Sequence, residues 1–196
     1  MASQIESSAL LASLSKAALL PSPVIPSTFK PSVELSVSFS EKPVVSGNLF
    51  RVSEVKDAPS VSLIPESHYP STTSYTLLLV DPDAPTPDDP KFAYWRHWVV
   101  SRIPSSSPSS SNGTTLTQYL APGPKDDSKP HRYLFLLYRE PAELKELDKE
   151  DVGGEEFVER RSFGTKEWVE KWGLELVGVN WMLGAGDGWN GGKDEL

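Results

Sequence analysis

Two segments of the sequence combine aspartate, histidine and aromatic residues where a buried strand is predicted to meet a proline-rich loop. The first spans residues 81–98 and the second spans residues 123–133. Ionised carboxylates accept hydrogen bonds, whereas imidazole and phenol groups can also donate them. The chemistry that these side chains offer together is therefore hydrogen bonding to a charged ligand.

The spacing within the two segments predicts which side chains share a face. Asp81 and Asp83 follow a strand at positions i and i+2, and extended backbone there directs both carboxylates to one side. Strand alternation predicts two further faces, one with Trp95, His97 and Val99, and the other with His131, Tyr133, Phe135 and Leu137. Each of these faces carries a histidine beside aromatic residues.

A purely structural interpretation competes with a binding site. Asp-Pro commonly begins a turn, and a single histidine on a strand is more often structural than functional. Two of the three histidines, two carboxylates and a Gly-Pro turn nevertheless fall at predicted strand ends, which favours one shared polar site. The third histidine, His68, lies in a proline-flanked polar loop and is interpreted as structural.

Several classes of function find no support in the sequence. The chain has no cysteine, which excludes disulfides, thiolate nucleophiles and cysteine-based zinc sites. It also lacks a Gly-x-Ser-x-Gly elbow, a phosphate-binding Gly-x-x-x-x-Gly-Lys loop and a His-Glu-x-x-His motif. Asp-x-Asp with two histidines could hold a divalent cation, but the surrounding Pro and Trp are more typical of a rigid binding site. We predict a non-enzymatic protein without a metal or cofactor.

The strands that position these residues are predicted from periodicity. Alternating apolar residues over 33–39 indicate a strand with one buried face, and the continuous apolar run over 75–80 indicates a strand buried on both faces. Residues 94–103 and 132–138 are rich in aromatic and β-branched side chains and are also predicted as strands. The sequence therefore predicts a mainly β protein.

The remaining segments are predicted as peripheral elements. Helical spacing over residues 1–22 predicts a leading helix that ends near Leu20, and further helices are predicted over residues 141–152 and 165–172. The Ser-rich residues 105–113 are predicted to be a mobile surface loop, and residues 184–196 a loose tail.

Length and charge limit the organisation and partners of the chain. We predict that its 196 residues form one domain. The formal net charge of -8 comes from an acidic excess in residues 140–196. Without a basic stripe the chain offers little to a nucleic-acid backbone, and no stretch is typical of a membrane span.

The two polar segments resemble the signature regions of the phosphatidylethanolamine-binding protein family. The first contains Asp81-Pro-Asp-Ala-Pro, then Asp-Pro, then Trp-x-His97; the second contains Gly123-Pro followed by His131-Arg-Tyr. Weaker similarity extends back to Pro26-x-x-Phe29 and forward through Trp168, and the leading helix is most similar to fungal members.

This resemblance implies a large antiparallel sheet packed with a smaller sheet and peripheral helices. It also implies a shallow pocket that binds a phosphate or phospholipid head group. We predict a monomer. Carried over by motif, the pocket residues are Asp81, Trp95, His97, Gly123, Pro124, His131 and Tyr133, with Asp83 beside them. A cis Ala84–Pro85 bond is implied as well. The family also includes inhibitors of a serine carboxypeptidase and modulators of kinase or Ras signalling, so action through protein surfaces is the alternative.

Two roles are open for Asp81, and two positions depart from the family pattern. Asp81 can accept a hydrogen bond from a histidine and fix its tautomer, or it can contact the ammonium of an ethanolamine head group. Lys125 replaces the second Pro of Gly-Pro-Pro and could add positive charge at the rim, and Phe92 replaces a frequent Tyr.

Two short motifs bear on cellular location. Residues 193–196 read Lys-Asp-Glu-Leu, a retrieval signal of the endoplasmic reticulum, and Asn112-Gly-Thr is an acceptor for N-glycosylation. The N-terminal segment lacks the basic region of a signal peptide. We expect a cytoplasmic protein without sugar at Asn112, with the lumen of the endoplasmic reticulum as the alternative.

Overall fold

The structure, a computed structural model, describes residues 4–191 and consists mainly of β-strands. The retrieval-type sequence at residues 193–196 lies outside the described residues. Helix α1 is Gln4–Lys16 and helix α2 is Thr165–Lys171. The nine strands are β1 (Glu34–Phe39), β2 (Lys42–Pro43), β3 (Leu49–Arg51), β4 (Ser60–Ile64), β5 (Ser74–Asp81), β6 (Trp95–Pro104), β7 (Thr114–Thr117), β8 (His131–Arg139) and β9 (Glu175–Ala185). Among the described residues, no helix is long and apolar enough to cross a membrane.

The strands form two sheets. The large sheet has the order β3-β9-β8-β5-β6-β7, and the small sheet has the order β2-β1-β4. Every pair in the two sheets is antiparallel except β3 and β9, which run parallel, so the prediction of an antiparallel large sheet is wrong at that edge. The mainly β prediction, with a large and a small sheet, is confirmed.

The large sheet is buried on both faces. One face packs against the small sheet, with Leu35 and Val61 on one side and Leu79 and Phe135 on the other. The opposite face is covered by α1, α2 and the segment between α1 and β1. Strand β5 therefore has no exposed face, which explains its continuous apolar sequence.

The leading helix ends earlier than predicted. It stops at Lys16, and Ala18 then adopts a positive φ of 53° while the Leu19 amide donates to the carbonyl of Leu14 at 2.8 Å. This is the hydrogen-bond pattern of a Schellman cap. The prolines that suggested an end near Leu20 follow the cap rather than form it.

The predicted helix over residues 141–152 is wrong. Only Glu150–Val152 is helical, and it is a short 3-10 helix. The carboxylate of Asp148 accepts hydrogen bonds from the amides of Glu150 and Asp151, at 3.0 and 3.1 Å. Such local side-chain contacts compete with the backbone bonds of an α-helix. The helix predicted over residues 165–172, in contrast, corresponds to α2.

Two segments predicted to be loose are held by hydrogen bonds. In the Ser-rich loop, the carbonyl of Pro108 accepts from the Leu63 amide at 3.1 Å, and Asn112 donates to the Ser107 hydroxyl at 2.7 Å. At the other end, β9 continues to Ala185, and the Arg51 guanidinium donates to the carbonyl of Gly186 at 2.8 Å. Polar contacts hold the Ser-rich loop and the part of residues 184–196 that the structure describes, although both contain few apolar side chains.

Candidate functional site

A cavity of about 270 Å³ lies at one edge of the large sheet; we call it the strand-end cavity. Strand β5 ends at this edge, and β6 and β8 begin there, because both are antiparallel neighbours of β5. The cavity is lined by Asp81, Ala84, Pro85, Trp95, His97, Leu120, Ala121, Gly123, Pro124, Lys125, His131, Tyr133 and Phe157. Seven of the eight residues predicted from the sequence are in this set.

A β-bulge places His97 at the cavity. Leu79 pairs with Trp98 and Val80 pairs with Arg96, which leaves His97 without a partner on β5. The imidazole then contacts the Tyr133 ring edge-on, with 5.3 Å between centroids. Because a bulge breaks the alternation of side chains, Trp98 packs between the two sheets and Val99 packs on the opposite face. The prediction that Val99 shares a face with His97 is therefore wrong.

His131 is held by hydrogen bonds at both ring nitrogens. Its Nδ1 lies 2.8 Å from the Asp81 carboxylate, and its Nε2 lies 3.1 Å from the Ser128 hydroxyl. Asp81 also accepts from the backbone amide of Asp83 at 2.7 Å. Of the two roles open for Asp81, the structure shows the contact that orients a histidine.

Asp81, His131 and Ser128 are hydrogen-bonded to one another in the order of the Asp-His-Ser triad of hydrolases. Unlike the serine of such a triad, Ser128 is not an exposed nucleophile. The Ser128 hydroxyl donates to the carbonyl of Lys129 at 2.9 Å. Ser128 is buried and is not one of the residues that line the cavity. Its hydroxyl therefore supports His131 rather than facing a substrate.

His97 is fixed in one tautomer by a backbone carbonyl. Its Nδ1 lies 2.7 Å from the carbonyl oxygen of Leu120, which can only accept, so Nδ1 carries the hydrogen. Burial lowers the pKa of His97 below its ordinary value; the Asp81 carboxylate opposes this shift only in part. At neutral pH the ring is uncharged.

Tyr133 and Trp95 form the aromatic part of the cavity wall. Burial, followed by the nearby Asp81 and Asp83 carboxylates, raises the pKa of Tyr133 well above its ordinary value, so its hydroxyl stays protonated. The Tyr133 ring lies so close to Gly184 of β9 that a Cβ there would be 2.5 Å from a ring carbon. The Trp95 indole N–H is buried and has no hydrogen-bond partner among the described residues.

The loop of Gly123, Pro124 and Lys125 forms the open side of the cavity. A Cβ placed on Gly123 would meet no atom within 4 Å, so there is free space beside this residue. Lys125 is exposed and contributes a positive charge to the lining.

Comparison with known proteins identifies the family. The sequence pattern of the phosphatidylethanolamine-binding protein family matches residues 28–173, which is most of the chain. The chain belongs to this family. Its mainly β, two-sheet architecture agrees with that of solved family members.

Related proteins are known from plants and yeasts. The chain is 32% identical over 114 residues to rice protein MOTHER of FT and TFL1 homolog 2, a match that covers 58% of this chain and 62% of the rice protein. It is 28% identical over 191 residues to an uncharacterised protein of Saccharomyces cerevisiae, covering 90% of this chain and 94% of that one. The structure of the yeast carboxypeptidase Y inhibitor, complexed with its cognate proteinase, is similar with a TM-score of 0.76 and 25% identity, covering 95% of this chain and all of the inhibitor.

Asp83, part of the family signature, lies outside the cavity lining. Its carboxylate accepts two hydrogen bonds from the Arg132 guanidinium, at 2.5 and 2.9 Å. Arg132 in turn donates to the carbonyl of Ala17, just after helix α1, at 2.7 Å. The prediction that Asp83 shares a site with Asp81 is wrong; this carboxylate ties the leading helix to the large sheet.

Phe157 lines the cavity of this family member and was not predicted from the sequence. It belongs to the 3-10 helix Phe157–Arg160 and contacts the Trp95 ring edge-on at 4.7 Å. The buried Arg160 holds this helix in place by donating to the carbonyls of His97 and Gln118, at 3.1 and 2.9 Å. The only sequence signal is an apolar pair, Phe157 and Val158, between charged residues; both side chains are 60% exposed.

Two larger cavities lie away from the predicted residues. One, of about 360 Å³, runs along β1 and is lined mainly by apolar and hydroxyl side chains. The other, of about 420 Å³, contains Arg139 paired with Glu66 and Glu175, and Glu140 hydrogen-bonded to Ser74 and Thr76. The charged groups there are matched to each other. Within residues 4–191, no group of three or more His, Asp or Glu residues could hold a metal ion.

The Ala84–Pro85 bond beside the cavity is cis, as the resemblance implied. The bond lies in the loop that joins β5 to β6, and both residues line the cavity. The family resemblance thus extends to the backbone of this loop.

Proposed function

We propose that this protein is a non-enzymatic binding protein whose strand-end cavity takes phosphate or a phosphate-bearing head group. The observation that carries the proposal is the convergence of His97, His131, Trp95 and Lys125 on one cavity from three separate parts of the chain. The indole N–H of Trp95 in this wall is buried and has no hydrogen-bond partner among the described residues.

The charge distribution supports an anionic ligand. The negative charge of Asp81 faces the His131 ring at 2.8 Å and is further satisfied by a backbone amide. Lys125 adds a cation at the open side. A ligand with a phosphate group can therefore meet Lys125 without displacing the Asp81–His131 pair.

Calorimetric titration with phosphoethanolamine tests the proposal. The unaltered chain should give saturable binding, and Gly123→Val should weaken it by at least about tenfold because the added side chain occupies the free space beside residue 123. Ser106→Val, in the exposed Ser-rich loop, is the matched control and should bind like the unaltered chain. Absence of saturable binding to the unaltered chain contradicts the proposal.

Inhibition of a serine carboxypeptidase is the second candidate function. It is favoured by the structural similarity to the carboxypeptidase Y inhibitor, which extends over the whole of that inhibitor. The test is the rate of peptide hydrolysis by carboxypeptidase Y as this protein is added in increasing amounts. Stoichiometric loss of activity supports inhibition, and an unchanged rate at a large excess of this protein rejects it.

A further inference from the structure

Asparagine followed by glycine occurs twice in the chain, at Asn112-Gly113 and at Asn190-Gly191. Asparagine is a chemically labile residue, because the backbone nitrogen of the next residue can attack its side-chain carbonyl carbon. Glycine permits the closest approach of that nitrogen because it has no Cβ. Both asparagines are exposed, so exposure does not distinguish the two sites.

Asn112 is held in a geometry that opposes this attack. Its Nδ2 donates to the hydroxyl and to the carbonyl of Ser107, at 2.7 and 3.2 Å. The attacking group, the Gly113 amide, donates to the carbonyl of Ser110 at 3.2 Å. A Cβ on Gly113 would lie 2.6 Å from the Val100 side chain, so the backbone has little room to move. Both partners of the reaction are therefore engaged elsewhere.

Asn190 has no such restraint. Among residues 4–191, neither its side chain nor the Gly191 amide has a hydrogen-bond partner. The residue before it is anchored, since the Arg51 guanidinium donates to the carbonyl of Trp189 at 2.9 Å. Asn190 is thus the first residue beyond an anchored segment, and its side chain and the following amide can rotate to meet.

The single Asp-Gly pair of the chain, Asp187-Gly188, is protected by its contacts. Aspartate reacts in the same way only as the neutral acid, because an ionised carboxylate is a poor electrophile. The Asp187 carboxylate accepts from the Ser53 amide at 3.0 Å, and hydrogen bonds from Ser53 lower the pKa of Asp187. The Gly188 amide donates to Asp126 at 2.9 Å. This pair is therefore ionised and held at neutral pH.

We propose that Asn190 is a site of spontaneous modification in the folded protein, which converts it to aspartate and isoaspartate. The Gly191 nitrogen bonds to the side-chain carbonyl carbon of Asn190, and its proton leaves with the side-chain amide as ammonia. Water then opens the resulting cyclic imide at either carbonyl. Opening at one carbonyl gives aspartate; opening at the other gives isoaspartate, in which the main chain runs through the side chain.

The isoaspartyl product defines a class of modifying enzyme. Its free α-carboxylate is the substrate of methyltransferases that move a methyl group from the sulfur of S-adenosylmethionine to a carboxylate oxygen and release S-adenosylhomocysteine. The modified chain is therefore a substrate for such an enzyme at residue 190. This inference is independent of ligand binding in the strand-end cavity.

Peptide mapping of the full chain, aged in buffer near neutral pH, tests the assignment. Fragmentation of each peptide in the mass spectrometer assigns the change to one residue. In the folded chain Asn190 should react at least about tenfold faster than Asn112, because Asn112 reacts only when its local hydrogen bonds open. In urea the two rates should agree within about threefold, because this protection is lost.

Two variants and an enzymatic label separate the sites. An isoaspartyl methyltransferase with labelled S-adenosylmethionine should label the aged chain, and should label aged Asn190→Gln at least about tenfold less. Ser107→Ala removes one acceptor of the Asn112 amide and should speed the reaction of Asn112 alone. Ser106→Ala, at the exposed neighbour, is the matched control and should change neither rate.

The outcomes decide the proposal. Faster reaction of Asn190 in the folded chain, with equal rates in urea, supports it. Equal rates at the two asparagines of the folded chain overturn it. Failure of Asn190 to react in the folded chain, over the time in which Asn112 reacts in urea, also overturns it.

Discussion

At the scale of single residues, the two histidines of the cavity have different electrostatic surroundings. His131 faces a carboxylate at 2.8 Å. His97 is buried, and its Nδ1 lies 2.7 Å from a carbonyl oxygen; burial lowers its pKa more than the Asp81 carboxylate raises it. Similar positions at the starts of the two strands that flank β5 therefore give one ring that is anchored by a carboxylate and one that is kept neutral.

His97 should make the free energy of unfolding depend on pH. Its pKa is lowered in the folded state, so below about pH 6.5 the unfolded chain binds more protons than the folded chain. Stability should therefore fall as the pH decreases through this range. Urea denaturation of His97→Gln should show a smaller loss between about pH 7 and about pH 5 than the unaltered chain. An identical pH slope in both proteins would show that His97 does not titrate differently on folding.

Asp83 should matter for stability and not for the ligand. Asp83→Asn leaves the partly buried Arg132 guanidinium without its charged partner, which should cost roughly 1–3 kcal/mol in the free energy of unfolding. Phosphoethanolamine affinity should stay within about twofold.

Asp88→Asn is the matched control for this measurement. Asp88 pairs with Lys129 on the surface, with 72% of its side chain exposed, so its loss should cost less than about 1 kcal/mol. Equal denaturation midpoints for the two variants would contradict the structural role of Asp83.

At the scale of elements, the cavity depends on a bulged strand and on a short 3-10 helix packed beside it. The bulge in β6 directs His97 toward Tyr133, and Phe157–Arg160 supplies the rim. Arg96, one residue before His97, donates to the carbonyls of Val152 and Gly154 on the other side of β6. Burial lowers the pKa of Arg96 to about 10, and it remains charged at neutral pH.

Arg160 should couple the rim to the cavity. Arg160→Ala removes two donors from the carbonyls of His97 and Gln118, which should cost roughly 1–3 kcal/mol in stability and lower phosphoethanolamine affinity. Lys166→Ala, at an exposed ion pair on α2, should cost less than about 0.5 kcal/mol and leave affinity unchanged. Denaturation and titration of both variants give the comparison. Full affinity in Arg160→Ala would mean that the rim is not needed for binding.

At the scale of the whole molecule, the large sheet separates two apolar clusters. One lies between the sheets, and the other lies beneath α1 and α2. Leu14 of α1 is fully buried in the second cluster, and the Trp181 indole of β9 donates to Ser13 at 3.1 Å. The leading helix is thus part of the folded core.

Truncation of a side chain in α1 tests whether the leading helix stabilises the whole fold. Leu14→Ala should cost roughly 2–5 kcal/mol because it leaves a cavity in the second cluster. Ile64→Ala, where the side chain is 51% exposed, should cost much less. A single denaturation transition shifted by Leu14→Ala supports a shared core, and an unchanged midpoint contradicts it.

The sequence by itself determined four of the nine strands that the structure describes, and the residues at the ends of those four; β2, β3, β4, β7 and β9 were not predicted from it. Apolar periodicity marked β1, β5, β6 and β8 to within a residue or two, because a sheet buried on one or both faces requires apolar side chains at fixed positions. Their polar ends marked the cavity, because antiparallel neighbours bring the end of one strand beside the start of the next.

Only the tertiary structure decided how these residues are used. The bulge at His97 depends on its register with β5, and the carbonyl of Leu120 that fixes its tautomer arrives from another loop. Asp83 contacts Arg132 and not the cavity because of the path of the chain after β5. The role of a hydrogen-bonding side chain depends on which partner lies within about 3 Å, and that partner is set by packing between distant segments.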